Sequence, residues 1–233
     1  NRDHSSMSLL FCGPAGVGKK LAALGLAQSL LCSNTSKRPC GTCPNCLKVE
    51  GRNHADVLVI ESREASIKID TIRDIQNFMN MRSYEGGAKV VIIDEAHTMT
   101  TQAANSLLKT LEEPPAGGHF ILVTSNRGAI LPTIQSRCQK VLFGGLADDE
   151  LTKIVTDLPP WIVTLARGRV DLATKYKDET YRDLRLAALK VFRGLKHTRA
   201  YEGFSQLDPL IDDRESALFT LQCWQDAVVR LAA

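Results

Sequence analysis

One segment limits what this chain can fold into more than any other. It is Gly13-Pro14-Ala15-Gly16-Val17-Gly18-Lys19-Lys20, set between a short apolar run and a stretch rich in Ala, Leu and Gln. The run at 8–12 stops at Gly13-Pro14 and reads as a buried strand entering a loop, while 19–31 is built from good helix formers. Strand, glycine loop and helix open an α/β domain. The segment fits G-x-x-x-x-G-K. In that pattern glycines let backbone N–H groups converge on phosphate oxygens, and the helix N-terminus favours their negative charge. Lys19 stands where the pattern neutralises β- and γ-phosphates. Lys20 stands where it has Ser or Thr, the hydroxyl that ligates Mg²⁺. An ammonium cannot coordinate a cation and repels one. Two readings stay open: a loop that binds nucleotide weakly, and a loop that kept its turn but lost nucleotide. The sequence thus leaves ATP with Mg²⁺ undecided.

The rest of the first 145 residues continues the pattern. Apolar runs at 57–60, 89–94, 120–124 and 140–143 read as strands. Residues 69–81 carry helical periodicity, and 101–111 follows as a helix ended by Pro114-Pro115. Strands alternating with helices predict a doubly wound parallel sheet with helices on both faces. Beyond Gly144-Gly145 no strong strand remains. Residues 146–175 and 176–233 read as helical, with one helix over 183–195.

The chain has 233 residues and a formal net charge of +3, too little to make an independent case for nucleic acid. No apolar run is long enough to span a membrane. The opening Asn1-Arg2-Asp3-His4-Ser5-Ser6 does not read as a signal peptide, so a cytoplasmic protein is expected.

Two constellations carry chemistry. Val91-Ile92-Ile93-Asp94-Glu95-Ala96-His97 ends a strand on two carboxylates. Behind a phosphate loop, Asp94 is placed to orient Mg²⁺ through water and Glu95 to polarise an attacking water. The second is Cys32-x₇-Cys40-x₂-Cys43-x₂-Cys46, four of seven cysteines. An odd total with no export signal argues against a disulfide framework. Four thiolates at this spacing suit tetrahedral Zn²⁺, with Pro39, Gly41 and Pro44 supplying turns. Four protein ligands leave no open position, so the expected role is structural. His54 lies close enough in sequence to replace Cys32; a surface histidine is the other reading.

Residues 86–115, GGAKVVIIDEAHTMTTQAANSLLKTLEEPP, and 131–138, LPTIQSRC, together with cysteines inserted straight after the phosphate-loop helix, resemble the subunits of bacterial DNA polymerase III clamp loaders. These belong to the AAA+ ATPases. The resemblance is close over 8–145 and looser over 146–175. It implies an AAA+ P-loop domain at 1–145 with a zinc module at 32–46. A small helical lid at 146–175 and a partial helical collar at 176–233 follow. It implies that Gly13, Gly16, Gly18, Lys19, Lys20 and Ser125, the last at the family's first sensor position, face nucleotide. It makes Asp94 and Glu95 a weak or degenerate catalytic pair. Arg137 becomes an arginine finger reaching the nucleotide of a neighbouring subunit. Asp171 falls where the family has a second-sensor arginine, a role not carried over to Arg169. The implied partners are gamma/tau and delta subunits in a hetero-pentameric ring, with the sliding clamp and primed DNA reached through it. Lys68, Arg73 and Arg82 lie on or beside a helix that faces either DNA or solvent. Lys20 and Asp171 favour a non-hydrolysing stator over a gamma/tau-type motor. A zinc-binding interaction protein outside replication is the third reading, which the Leu-Glu-Glu-Pro-Pro and Ser-Arg-Cys blocks oppose.

Overall fold

A computed structural model describes residues 6–61, 66–85, 87–194, 210 and 213–232. The chain start at 1–5 and the expected helix end at Leu195 lie outside them. The described residues belong to two compact units, 1–144 and 145–233.

The first unit is built on five parallel strands: β1 Met7–Cys12, β2 Val57–Ile60, β3 Lys89–Ile93, β4 Gly118–Thr124 and β5 Gln139–Leu142. Their order across the sheet is β2-β3-β4-β1-β5. β1, β3 and β4 are apolar on both faces because helices cover both. Alternation along each strand sorts the side chains. Leu10, Val91, Ile93, Phe120 and Leu122 join one core with Ile72, Ile75 and Met79 of α3 (Ile69–Asn80) and with Ala103, Ala104, Leu107 and Leu111 of α4 (Thr101–Glu112). Leu9, Phe11, Val90, Ile92, Ile121 and Val123 point the other way, onto Ala23, Ala27 and Leu31 of α1 (Lys19–Leu31) and Val49 of α2 (Pro44–Glu50).

Local chemistry sets the helix ends. Thr100 caps α4 by accepting from the Ala103 N–H at 3.2 Å, and Pro114-Pro115 follows its last turn. α1 follows Gly18, which supplies no side-chain cap. A short helix α5 (Pro132–Gln135) precedes β5.

In the second unit the described elements are helices: α6 Asp148–Ile154, α7 Pro160–Ala166, α8 Val170–Lys175, α9 Glu179–Gly194 and a further helix, here α10, Arg214–Ala232. They share one core containing Leu151, Ile162, Leu165, Tyr176, Phe219 and Cys223. Tyr176, Tyr181 and Phe219 stack with ring centroids 4.8–5.2 Å apart. Trp224 Nε1 donates to the Ala188 carbonyl at 2.8 Å, tying α10 to α9. The helix expected from residue 183 in fact starts at Glu179. Its first turn is polar, and the Asp178 carboxylate accepts from the Thr180 N–H at 2.9 Å. No helix among the described residues is long and apolar enough to cross a membrane.

Candidate functional site: the phosphate loop and the cysteine cluster

With β4 between β1 and β3, the loops leaving these three strands meet at one end of the sheet, where open α/β sheets bind ligands. Gly13 begins the first loop. A Cβ there would lie 2.2 Å from the Phe143 carbonyl oxygen, so only glycine lets β1 turn so close to the segment leaving β5. Gly18 has φ 89° as it enters α1, a left-handed conformation that L side chains avoid. Gly16 is left-handed too. Lys19 is 5% exposed, and its Nζ donates to the Gly13 and Pro14 carbonyls at 2.8 and 2.5 Å. Its charge is held inside the curl of the loop, where phosphate charge would be met.

Lys20 points at the acidic end of the sheet. Its Nζ lies 2.8 Å from Glu61 Oε1 and 3.1 Å from Asp94 Oδ2. Partial burial pulls the ammonium pKa down, but hydrogen bonds and charge from Glu61 and Asp94 outweigh it, and the net shift is upward. Lys20 is therefore fully charged at neutral pH. Arg52 Nη1 meets the same Glu61 oxygen at 2.6 Å. A divalent ion does not fit this arrangement. Asp94 Oδ2 holds an ammonium, and the residue that would supply a hydroxyl supplies that ammonium instead.

Glu95 adopts φ 48°, an uncommon conformation for a residue with a side chain. Its carboxylate meets the residue just after β4: Ser125 Oγ donates to Glu95 Oε2 at 2.9 Å, and His97 Nδ1 lies 3.3 Å from the same oxygen. His97 also meets Thr124 Oγ1 at 3.2 Å. Ser125, Glu95 and His97 thus form one hydrogen-bonded group at the strand ends.

The four cysteines come together as a set. Their sulfurs all lie within 4.8 Å of one another, with Cys40–Cys46 and Cys32–Cys43 each at 4.0 Å. Zinc bound tetrahedrally at about 2.3 Å holds its sulfurs about 3.8 Å apart, so the donor set and spacing fit this metal. Backbone N–H groups of Cys43 and Cys46 point at the Cys40 and Cys43 sulfurs, at 3.3 and 3.4 Å, the outer-shell donors that steady thiolates. The Ser33 side chain, followed by the Cys46 amide, brings the Cys43 thiol down to about 5. Burial pushes Cys46 up to about 12. Cys46 is not in a loop: Pro44 starts α2, with Cys43 as its N-cap. Gln28 Nε2 donates to the Cys46 carbonyl at 3.1 Å and Asn45 Nδ2 to the Leu31 carbonyl at 2.9 Å, docking the module on α1. His54 is neither a ligand nor a surface group. It is buried, and its Nδ1 accepts from the Asp56 N–H at 3.0 Å.

Arg137 follows α5. Its Nε donates to Glu112 Oε2 at 2.9 Å and its Nη1 to the Thr133 carbonyl at 3.1 Å, with the side chain 31% exposed. In the second unit Asp171 is held by Arg169 through two bonds of 3.2 and 2.8 Å. Burial raises the Asp171 carboxyl, but Arg169 and local amides bring it below the ordinary range. Arg73 is exposed and paired with Asp70 at 2.8 Å. Sequence reasoning missed Glu61, Arg52 and Glu112, each of which meets its partner only through the fold.

The chain resembles known proteins along most of its length. A family model described as "DNA polymerase III, delta subunit" matches residues 1–147. DNA polymerase III subunit delta' of Bacillus subtilis is 32% identical over 211 residues, covering 87% of this chain and 64% of that protein. Subunit delta' of Pseudomonas aeruginosa is 39% identical over 138 residues, covering 58% of this chain and 42% of that protein. Subunit tau of Escherichia coli is 38% identical over 130 residues, covering 55% of this chain and 20% of that one. The chain thus spans 64% and 42% of the length of the two delta' relatives. A solved DNA polymerase III gamma-subunit-related protein of Thermotoga maritima matches with a TM-score of 0.58 at 23% identity, over 97% of this chain and 80% of that one. At that identity the likeness concerns the fold.

Proposed function

Because the chain belongs to the DNA polymerase III delta-subunit family, we propose that it works as a stator of the delta-prime type in a bacterial clamp loader. It would help a ring of gamma/tau and delta subunits place a sliding clamp on primed DNA, in the cytoplasm. It would lend Arg137 to the nucleotide of a neighbour and turn over no ATP of its own. One observation carries this reading: the ammonium of Lys20 on Asp94, at 3.1 Å, stands in the way of the metal chemistry a motor needs. The Ser125 hydroxyl on Glu95 points the same way, since that carboxylate is occupied by a neighbour in its own chain. The likeness to proteins named delta' supports the assignment.

Arg137 suits donation in trans. It is anchored just after the buried Ile134 and just before the buried Cys138, so its backbone is held while its side chain reaches solvent. Its partner Glu112 is 58% exposed, and such a pair is worth about 0–1 kcal/mol, a small cost to exchange for a phosphate. A guanidinium is always charged and forks onto oxygens, which suits charge developing on a transferring phosphoryl group. Zinc at Cys32, Cys40, Cys43 and Cys46 would cross-link the module that leaves α1, with no catalytic part.

ATP turnover tests the reading. The isolated chain should be silent, and a complex reconstituted with gamma/tau and delta should lose turnover when Arg137→Ala replaces the native residue. Robust turnover by the isolated chain would sink the stator assignment and favour a gamma/tau-type motor.

A further inference from the structure

The pairing of β2 with β3 places Ile60 beside Ile93, and the Asp94 N–H donates to the Ile60 carbonyl at 2.9 Å. Glu61 and Asp94, one residue further on, therefore leave the sheet side by side. Two carboxylates abreast repel unless a cation stands between them. Lys20 is that cation, 2.8 Å from one and 3.1 Å from the other. Arg52 completes the group from the far side of Glu61, at 2.6 Å. Two carboxylates, one ammonium and one guanidinium sum to zero charge. A divalent ion arriving at a neutral group gains little, and it must displace an ammonium tethered to the first turn of α1.

We propose that Lys20 is a built-in counter-cation that takes the place of the divalent metal, so that the loop holds a polyphosphate, such as that of ADP or ATP, without metal. The inference rests on reading the loop as a phosphate site and is independent of the role given to Arg137. The loop N–H groups and Lys19 meet the phosphates. Lys20 neutralises Asp94 and Glu61, which would otherwise repel them. A threonine at this position would leave those carboxylates without their ammonium and restore a hydroxyl ligand, making a metal site where none exists.

The experiment titrates ADP and ATP calorimetrically into the whole chain, first in excess EDTA and then in excess Mg²⁺. Native protein, Lys20→Thr and Lys20→Arg are compared. The native chain should bind both ligands with affinities that agree within about twofold in the two buffers, and Lys20→Arg should do the same. Lys20→Thr should bind about tenfold more tightly with Mg²⁺ than without. Native binding that requires Mg²⁺ would overturn the proposal, as would a metal-insensitive Lys20→Thr or the absence of binding in every condition. Should Lys20→Thr not fold, metal dependence in the native chain or in Lys20→Arg still overturns it. The stator reading fails on a different result, complex turnover that ignores Arg137→Ala.

Discussion

Removing the metal from the cysteine cluster should loosen one module and leave the sheet intact. A zinc bridging Cys32 to Cys46 closes a loop of fifteen residues. Cross-linking a loop of that length removes about 3 kcal/mol of chain entropy from the open form. Val49 of the module, 1% exposed, packs against α1, a contact that opposes opening by about 1.5 kcal/mol with or without the metal. Opening the module should become easier by about 3 kcal/mol once the metal is gone, roughly a hundredfold in the opening equilibrium. Little else follows it out. The core between the sheet and α3 and α4 contains no residue of the module, and the opposite core keeps Leu9, Phe11, Val90, Ile92, Ile121 and Val123. The assay is hydrogen exchange read by mass spectrometry, before and after chelation under reducing conditions, alongside the zinc content of the purified protein. One zinc per chain is expected, with protection lost over 32–50 and kept in β1, β3 and β4. Protein without stoichiometric zinc, or protection lost equally across the sheet, would refute the reasoning.

Other outcomes follow from single contacts. Asp56 is buried and accepts from the Tyr84 and Glu85 N–H groups at 2.8 and 3.0 Å and from Ser83 Oγ at 2.9 Å. Burial raises its pKa, but these donors and Lys89 outweigh it, so the folded value lies below the unfolded one. Its stabilisation is therefore complete above about pH 4 and is lost as pH falls through the folded value. Asp56→Asn should lower stability by about 3 kcal/mol at neutral pH and flatten the acid limb, measured by urea melts across pH. Arg137→Ala should change stability of the isolated chain by less than about 1 kcal/mol while cutting turnover at the neighbouring site by about 10³, which separates a donated charge from a structural one. Gly13→Ala drives a Cβ to 2.2 Å from the Phe143 oxygen, a backbone atom that cannot rotate away. A loss of several degrees in Tm is expected, on the order of 2 kcal/mol, and an unchanged melting curve would show that β1 and the end of β5 can separate freely.

Much of the first unit was legible because its signals are local. Apolar runs marked all five strands to within a residue or two, and the periodicity of 69–81 marked α3. α2 was missed because Pro44, three residues after Gly41, reads as part of a turn. Yet proline also opens helices, and Cys43 accepting from Cys46 N–H is an N-cap. The second unit was legible only as helical. Its short helices α6, α7 and α8 carry six or seven residues each, too few for periodicity to establish bounds.

The candidate site divides along the same line. Gly13, Gly18, Lys19 and the four cysteines sit in sequence patterns whose chemistry is complete within a few residues. His54 offered no such signal, because its burial comes from the packing of a whole segment. Glu61 offered none either. A carboxylate after a strand is usually a solvated turn, and only the Ile60–Ile93 register makes it the neighbour of Asp94. That pairing changes the meaning of Lys20. Taken alone, the lysine marks a hydroxyl lost from a phosphate loop; between two carboxylates it is a group with a partner on each side. A lost ligand would leave Asp94 and Glu61 repelling one another at the mouth of the loop. The lysine removes that repulsion and stands where the ion that the two carboxylates would otherwise attract would sit.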